Sequence, residues 1–429
     1  MRKRLTVVTV GCKANFADSA SLVREAISAG FEVVSSSRSD ADVVIVNSCT
    51  VTHRADRDSR AFVRRARRDH PRASVILTGC YAMASPRARE TLPEVDHWIV
   101  IGEADALGSL LRRIGGNGPT QAPPPSDYAA DLLLGHRRTF LKIQDGCDFH
   151  CAYCVVPRAR GKNRSLPERE ILDRAAAAER DGARELVLTG IHVGLYGADR
   201  GDTDALARLL ARILKETDRV RLRLSSIEPM EVTDRLLDRI GEDKRVCPHL
   251  HIPLQSGSDR TLLRMGRPYD VRGYEDTVSR VVTRISGVQV GADVIAGFPG
   301  ETQADFEETV RFLGRAPVNY LHVFPYSVRE GTESAQWKDD VPAREKKERV
   351  SRLLRLDEEK RTRFLRSVVG KDLEVLAETS HHGRGELSGT SGNYVEATFP
   401  GKSAEVGELF RIRAVSVKGR GVAGTREEI

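Results

Sequence analysis

The 429-residue chain is short of aromatic residues, at 5 % with only two tryptophans, and it holds just seven cysteines. It has no apolar run near the roughly 20 residues a membrane span requires, so a membrane-spanning protein is not expected. The opening Met-Arg-Lys-Arg-Leu-Thr-Val-Val-Thr-Val places basic residues before apolar ones. That apolar run is too short for a secretory leader and reads as a β-strand. An odd number of cysteines in a long chain argues against a disulfide framework. A four-cysteine zinc site would need a second C-x2-C pair at a distance, and there is none. The expected setting is cytoplasmic, where thiols stay reduced.

Hydrophobic residues make up 40 % of the chain and charged residues 30 %, enough for two or three domains with cores of their own. The net charge of +7 and pI near 9.1 favour a polyanionic partner. Arg54, Arg57, Arg60, Arg64, Arg65, Arg67, Arg68 and Arg72 crowd one predicted helix. Arginine makes bidentate phosphate contacts, which suits nucleic acid; a solvated helix face explains the same run equally well.

The cysteines carry the chemistry. Cys147, Cys151 and Cys154 sit at C-x3-C-x2-C spacing within Asp145–Pro157. Thiolates bind soft iron, and a 4Fe–4S cluster usually takes four of them. Three from one tight loop leave one iron open to a chelating small molecule. A zinc site or inert thiols are the alternatives that spacing alone leaves open.

Cys12, Cys49 and Cys80 form a second set. Residues 1–113 alternate predicted strands (Leu5–Val10, Phe31–Ser35, Asp42–Val46, Ser74–Leu77) with helices, including one over Asp18–Ala29. Such a pattern implies a doubly wound parallel sheet. Each cysteine follows a strand by one to three residues, and in a parallel sheet those ends share one ligand-binding edge. Three cysteines far apart in sequence can therefore meet and hold a second cluster. Cys247 fits neither set and reads as a structural thiol.

A glycine- and proline-rich linker, 114–137, separates this region from 138–369, where βα units resume. Strands are predicted at Phe140–Ile143, Glu185–Leu188, Arg221–Leu224, His249–Ile252, Val288–Ile295 and Tyr320–Phe324. About six βα units imply a partial or complete βα barrel whose strand ends line a cavity. A long charged helix, Val341–Val369, closes it, with Val350, Leu353, Leu354, Phe364 and Leu365 as its buried side. Residues 370–429 show short glycine-punctuated strands at Leu373–Ala377, Tyr394–Thr398, Leu409–Ser416 and Gly421–Thr425, a small all-β barrel of a kind that often binds oligonucleotides. Its charge gives no support for that role: 8 Lys and Arg stand against 9 Asp and Glu from Lys371 to Ile429, with a local basic strip at Arg411, Arg413, Lys418 and Arg420.

Taken together, Gly11-Cys12, Asn47-Ser-Cys49-Thr-Val-Thr, Thr78-Gly-Cys80-Tyr-Ala, the Cys147/Cys151/Cys154 loop, His251-Ile-Pro-Leu-Gln-Ser-Gly257 and Asp293-Val-Ile-Ala-Gly-Phe-Pro-Gly-Glu301 resemble the radical S-adenosylmethionine (SAM) methylthiotransferases. The resemblance spans nearly the whole chain. It implies an N-terminal cluster domain, a radical SAM barrel and a C-terminal RNA-binding TRAM domain. It also implies two 4Fe–4S clusters, one on each cysteine triplet, with SAM on the open iron of the Cys147 loop. SAM cleavage there would release methionine and a 5′-deoxyadenosyl radical, and the other cluster would supply or carry the sulfur. Tyr153, Ser225, Glu228 and Gln255 become candidate SAM contacts.

Leu141-Lys-Ile-Gln-Asp-Gly-Cys147, Leu188-Thr-Gly-Ile-His192, Arg223-Leu-Ser-Ser-Ile-Glu228 and Leu321-His-Val-Phe-Pro-Tyr326 are similar to the subgroup that adds a 2-methylthio group to N6-threonylcarbamoyladenosine at position 37 of tRNA. Other subgroups act on isopentenyladenosine in tRNA or on a ribosomal-protein aspartate. A non-catalytic iron–sulfur RNA-binding or redox protein is the alternative from another class. The partners implied are the tRNA anticodon loop, an electron donor such as flavodoxin or ferredoxin, and a sulfur source; nothing demands more than a monomer.

Overall fold

The computed structural model describes residues 2–34, 41–84, 88–100, 104–115, 124–381 and 383–427. Ser35, the last residue of the second predicted strand, and 116–123 of the linker lie outside them. The chain divides into two compact units. One comprises Met1–Gly182, Thr189–Ile191 and Ser327–Ala335; the other comprises Ala183–Leu188, His192–Tyr326 and Gln336–Ile429.

The first unit is built on a parallel sheet of β1 (Arg4–Thr9), β2 (Glu32–Val33), β3 (Val43–Ser48), β4 (Ser74–Gly79) and β5 (His97–Trp98), in the order β2-β1-β3-β4-β5. Valine and isoleucine dominate its centre, and β3 is buried along its whole length. Alternation splits the side chains between two faces. Leu5, Val43, Ile45 and Ile76 pack with Ala20, Val23 and Leu111; Val44, Val46, Val75 and Leu77 pack with Val63 and Ala66. Helix α1 (Lys13–Ser28) begins five residues before the predicted start, with Cys12 as its N-terminal cap. Helix α2 (His53–Asp69) carries the arginines, with Thr52 accepting from Ala55 N as its cap. Within the stretch read as linker, Asp127–Leu133 is a helix with Tyr128 and Ala130 buried.

The second unit holds an open arc of parallel strands. Glu185–Thr189 pairs with Arg221–Leu224. Isolated bridges Leu222↔Val246 and Ser226↔His251 lead on to His249–His251, which pairs with Gln289–Ala296, and that with Tyr320–Pro325. The helices Ala205–Glu216, Asp234–Glu242, Val271–Arg284 and Gln303–Arg315 run between them, giving a partial βα barrel.

The long helix runs Ala343–Val368. Its buried face corrects the sequence reading, because Leu354 is 48 % exposed. Polar groups occupy that face beside Leu353, Phe364 and Leu365. Arg349 pairs with Glu301, Lys360 Nζ donates to the Ala316 and Val318 carbonyls, and Asp357 accepts from Leu321 N at 2.7 Å. A count of apolar residues cannot find a face made of satisfied charges.

The C-terminal strands close into a barrel in the order Asp372–His381, Glu386–Ser391, Glu396–Pro400, Gly421–Arg426, Leu409–Lys418. Glu386–Ser391 is polar enough to escape prediction. It needs Gly389, where a Cβ would lie 1.8 Å from the Leu376 carbonyl oxygen. A buried ionic knot fastens this barrel to the βα arc. Glu185 pairs with Arg221 and Arg223 at 2.7 Å each. Those arginines donate to the carbonyls of Thr390, Ser391 and Gly392 at 2.7–2.9 Å. Removing one partner of such a knot leaves a buried charge and costs about 3–5 kcal/mol. No helix among the described residues is long and apolar enough to cross a membrane.

Candidate functional site

The first unit gathers both cysteine triplets. β1, β3 and β4 are neighbours in register, with Thr9 opposite Asn47 and Asn47 opposite Thr78. Their carboxyl ends deliver Cys12, Cys49 and Cys80 to one edge. A Cβ added at Gly11 would lie 3.0 Å from Cys49 Sγ, so the first cysteine loop passes directly over the second. Gly79, at φ +94°, lets β4 turn tightly: a Cβ there would lie 2.2 Å from the Ser48 carbonyl oxygen.

The residues flanking these cysteines lock the edge. Asn15 Nδ2 donates to the carbonyls of Val10 at 2.7 Å and Ser48 at 2.9 Å. Asn47 Nδ2 donates to Asn15 O, and Ser48 Oγ donates to Thr78 O. Ser59 of α2 both receives the Cys49 N–H and donates to the Cys49 carbonyl. Cys49 and Cys80 are buried and Cys12 is exposed. Burial pushes the Cys49 thiol up to about 12, with Cys12 and Cys80 adding to the rise. Burial also raises the Cys80 thiol, opposed by the neighbouring Arg160.

Local geometry makes the second triplet. The two-residue strands Gln144–Asp145 and Arg164–Ser165 pair and bracket the Cys147 loop. Gln144 Nε2 donates to Asp145 O, Gly146 O and Asn163 Oδ1. Cys147 N donates to Gly161 O, and Cys154 N to Cys151 O. All three cysteines and Tyr153 are half-buried.

One residue that the sequence reading passed over touches both sites. Arg160 ends the short helix Val156–Arg160 that follows Cys154, and its side chain is fully buried. Its Nε donates to Cys80 Sγ at 3.2 Å. Its other nitrogens reach Asn15 Oδ1 at 2.5 Å, Asp18 Oδ2 at 2.7 Å and Asp145 Oδ1 at 3.4 Å. Lys142 completes the group, 2.8 Å from Asp18 and in contact with Asp145. Two cations and two carboxylates thus form a neutral buried cluster between the loops. Burial opposes ionisation of Asp18, but Lys142 and Arg160 hold its carboxyl below the usual range.

The donor sets fit iron–sulfur clusters better than single ions. Among the described residues neither triplet brings three sulfurs within 4.8 Å of one another; His251, Asp293 and His322 do reach that closeness. One zinc ion holds thiolates at about 2.3 Å and draws them together, whereas a cluster gives each cysteine its own iron.

The remaining candidates fall in the second unit. Ser225 follows the strand Arg221–Leu224, and its buried Oγ has no hydrogen-bond partner among the described residues. Gln255 stands at φ +67°, a left-handed conformation rare outside glycine. Its backbone spans Asp293 O and Ile295 N. Burial raises the carboxyl of Glu228 against the pull of Arg267, which it contacts directly. Cys247 is buried, and burial raises its thiol, opposed by Arg223.

The basic stretches are partly neutralised. Arg54, Arg64, Arg65, Arg67 and Arg68 all have acidic partners, and Arg67 is also spent on the carbonyls of Pro71, Ala73 and Glu94. Arg411 and Arg413 pair with Asp372 and Glu427, Lys418 with Glu386, and Arg420 with Asp357.

Residues 4–100 match the uncharacterized protein family UPF0004, and 141–313 match the radical SAM superfamily. The chain is 36 % identical to the threonylcarbamoyladenosine tRNA methylthiotransferase MtaB of Aquifex aeolicus, over 94 % of this chain and 98 % of that one. It is 35 % identical to the MtaB of Bacillus subtilis, over 94 % and 92 %. It is also 35 % identical to the tRNA-2-methylthio-N(6)-dimethylallyladenosine synthase of Clavibacter michiganensis, over 88 % and 73 %. Among solved structures, the radical SAM methyltransferase TsrM of Kitasatospora setae superposes with a TM-score of 0.55 at 14 % identity, covering 76 % of this chain and 75 % of that one. That likeness is one of fold.

Proposed function

Since the chain belongs to the radical SAM methylthiotransferases, enzymes that work with SAM and two 4Fe–4S clusters, we propose that it adds a 2-methylthio group to C2 of N6-threonylcarbamoyladenosine at position 37 of tRNA. The observation that carries this reading is the pair of cysteine triplets within one compact unit, the first at three strand ends and the second in one loop. The choice of nucleoside is supported by relatives named for it that match 94 % of this chain.

Cys147, Cys151 and Cys154 would hold one cluster, and Cys12, Cys49 and Cys80 the other. When bound, the clusters supply the electron that cleaves SAM and the sulfur that is transferred. The protein's own residues set the conditions. C2 of adenine carries no acidic proton, so the chain needs no general base there. Arg160 fixes Cys80 relative to Asp145, two residues before Cys147. Tyr153, Ser225, Gln255 and Glu228 are the residues we would assign to SAM, Glu228 as a carboxylate already engaged by Arg267. The C-terminal barrel would serve as the RNA-binding TRAM domain, while an electron donor of the flavodoxin or ferredoxin kind and a separate sulfur source would serve a monomeric, cytoplasmic enzyme. Domains at 1–113, 138–369 and 370–429, joined through 114–137, would divide these tasks.

The test is mass spectrometry of tRNA nucleosides from a strain lacking the protein. Loss of 2-methylthio-threonylcarbamoyladenosine is expected. An unchanged level, or loss of the isopentenyl counterpart instead, would reject the substrate.

A further inference from the structure

Three parallel strands of the second unit place an unusual set of side chains on one face. Alternation along Tyr320–Pro325 puts Tyr320, His322 and Phe324 on the same side, with Leu321 and Val323 opposite. His322 is half-exposed and Phe324 is 38 % exposed, while Leu321 is buried. On the neighbouring strand Asp293 stands directly across from His322. Asp293 Oδ1 lies 2.9 Å from His251 Nε2 and 3.3 Å from His322 Nδ1. Burial works against the Asp293 charge, but the two imidazoles hold its carboxyl well below the usual range.

Behind this pair the chain of contacts continues inward. His251 Nδ1 lies 3.2 Å from the Tyr320 hydroxyl, which lies 2.8 Å from His249 Nε2. Gly291 leaves room for that tyrosine, since a Cβ there would stand 2.1 Å from its ring. His322 is therefore aimed from behind: Asp293 takes Nδ1, the His251 ring stacks on it at 4.9 Å, and Nε2 is the ring atom left to meet a ligand. Two residues on, no ring among the described residues stacks on Phe324, and it lies near the carboxyl end of its strand, where βα folds bind ligands.

We propose that the His322–Phe324 face is the seat of the N6-substituted adenosine, with Phe324 stacking on the base and His322 Nε2 hydrogen-bonding the polar N6 substituent. The inference rests on the substrate reading above and assigns a specificity-determining residue to it. A splayed-out loop base stacks on aromatic side chains without regard to its substituent. A threonylcarbamoyl group carries an N–H, a hydroxyl and a carboxylate that can meet an imidazole; an isopentenyl group carries none. A site built around a polar contact discriminates strongly against a ligand that lacks it.

The test uses the full chain with both clusters reconstituted and anticodon stem-loop RNAs bearing threonylcarbamoyladenosine, isopentenyladenosine or adenosine at position 37. Affinity is read by fluorescence anisotropy and product by mass spectrometry. His322→Ala should weaken the threonylcarbamoyl RNA about tenfold, the worth of one hydrogen bond, and leave the other two within twofold. His322→Gln, which keeps a polar atom near the Nε2 position, should recover most of the loss. Phe324→Ala should weaken all three RNAs about tenfold, with Phe324→Trp restoring them. Equal effects of His322→Ala on all three RNAs, or none, would overturn the inference while wild-type product still upheld the substrate. A wild-type protein that neither prefers nor modifies the threonylcarbamoyl RNA would overturn both.

Discussion

The two cysteine triplets reach the same compact unit by opposite routes. Cys147, Cys151 and Cys154 are neighbours because the chain between them is short, and a two-residue strand pair holds the loop. Cys12, Cys49 and Cys80 are neighbours only because β1, β3 and β4 pair in register. The first set is half-buried, whereas two of the second set are buried and one has its thiol pushed up to about 12. A half-buried loop triplet would leave a cluster held there accessible to a small molecule. A triplet at a sheet edge depends on the register of three strands.

The contrast can be broken first at the loop. Cys151→Ala should abolish both SAM cleavage and product, and should reduce bound iron from about eight to about four per chain, read by iron assay and 5′-deoxyadenosine chromatography. A smaller effect is expected at the junction. Arg160→Gln removes the charged donor to Cys80 and should lower the reduction potential of the sheet-edge cluster, because hydrogen bonds to ligand sulfur stabilise the reduced state. Product formation should fall about tenfold or more, and an EPR-monitored redox titration of the two clusters would show whether the shift is confined to one of them.

The smallest effect concerns the cluster-free protein. An unfolded cysteine ionises near pH 8.5, whereas folded Cys49 keeps its proton to about 12. The unfolded state therefore holds fewer protons in that window, and stability contributed by the thiol falls as pH rises from about 9 toward 12. The expected loss is roughly 3 kcal/mol by pH 11. It should be missing from Cys49→Ala in parallel urea titrations, and equal pH slopes in the two proteins would contradict the burial of this thiol.

What could be read without coordinates follows the same division. The loop was legible because its signal is local. The sheet edge was legible because hydrophobic runs marked the strands, and each cysteine came just after one. Arg160 was not legible: it bears on Cys80 from 80 residues away, and nothing near it in sequence names that partner. His251, Asp293 and His322 lie within quoted motifs, yet their convergence depends on strand register. The polar face of Ala343–Val368 and the strand Glu386–Ser391 escaped for a shared reason, since both bury groups that a hydrophobic pattern treats as solvent-facing.

The Cys147 loop would serve SAM cleavage and the sheet edge would provide the sulfur. The direct measurement replaces Cys12, Cys49 and Cys80 together with alanine, reconstitutes the remaining cluster, and assays the protein with SAM, dithionite and threonylcarbamoyladenosine-bearing RNA. This division of labour predicts continued formation of 5′-deoxyadenosine with no 2-methylthio product. Product from this variant, or no SAM cleavage by a variant that retains the Cys147-loop cluster, would contradict it.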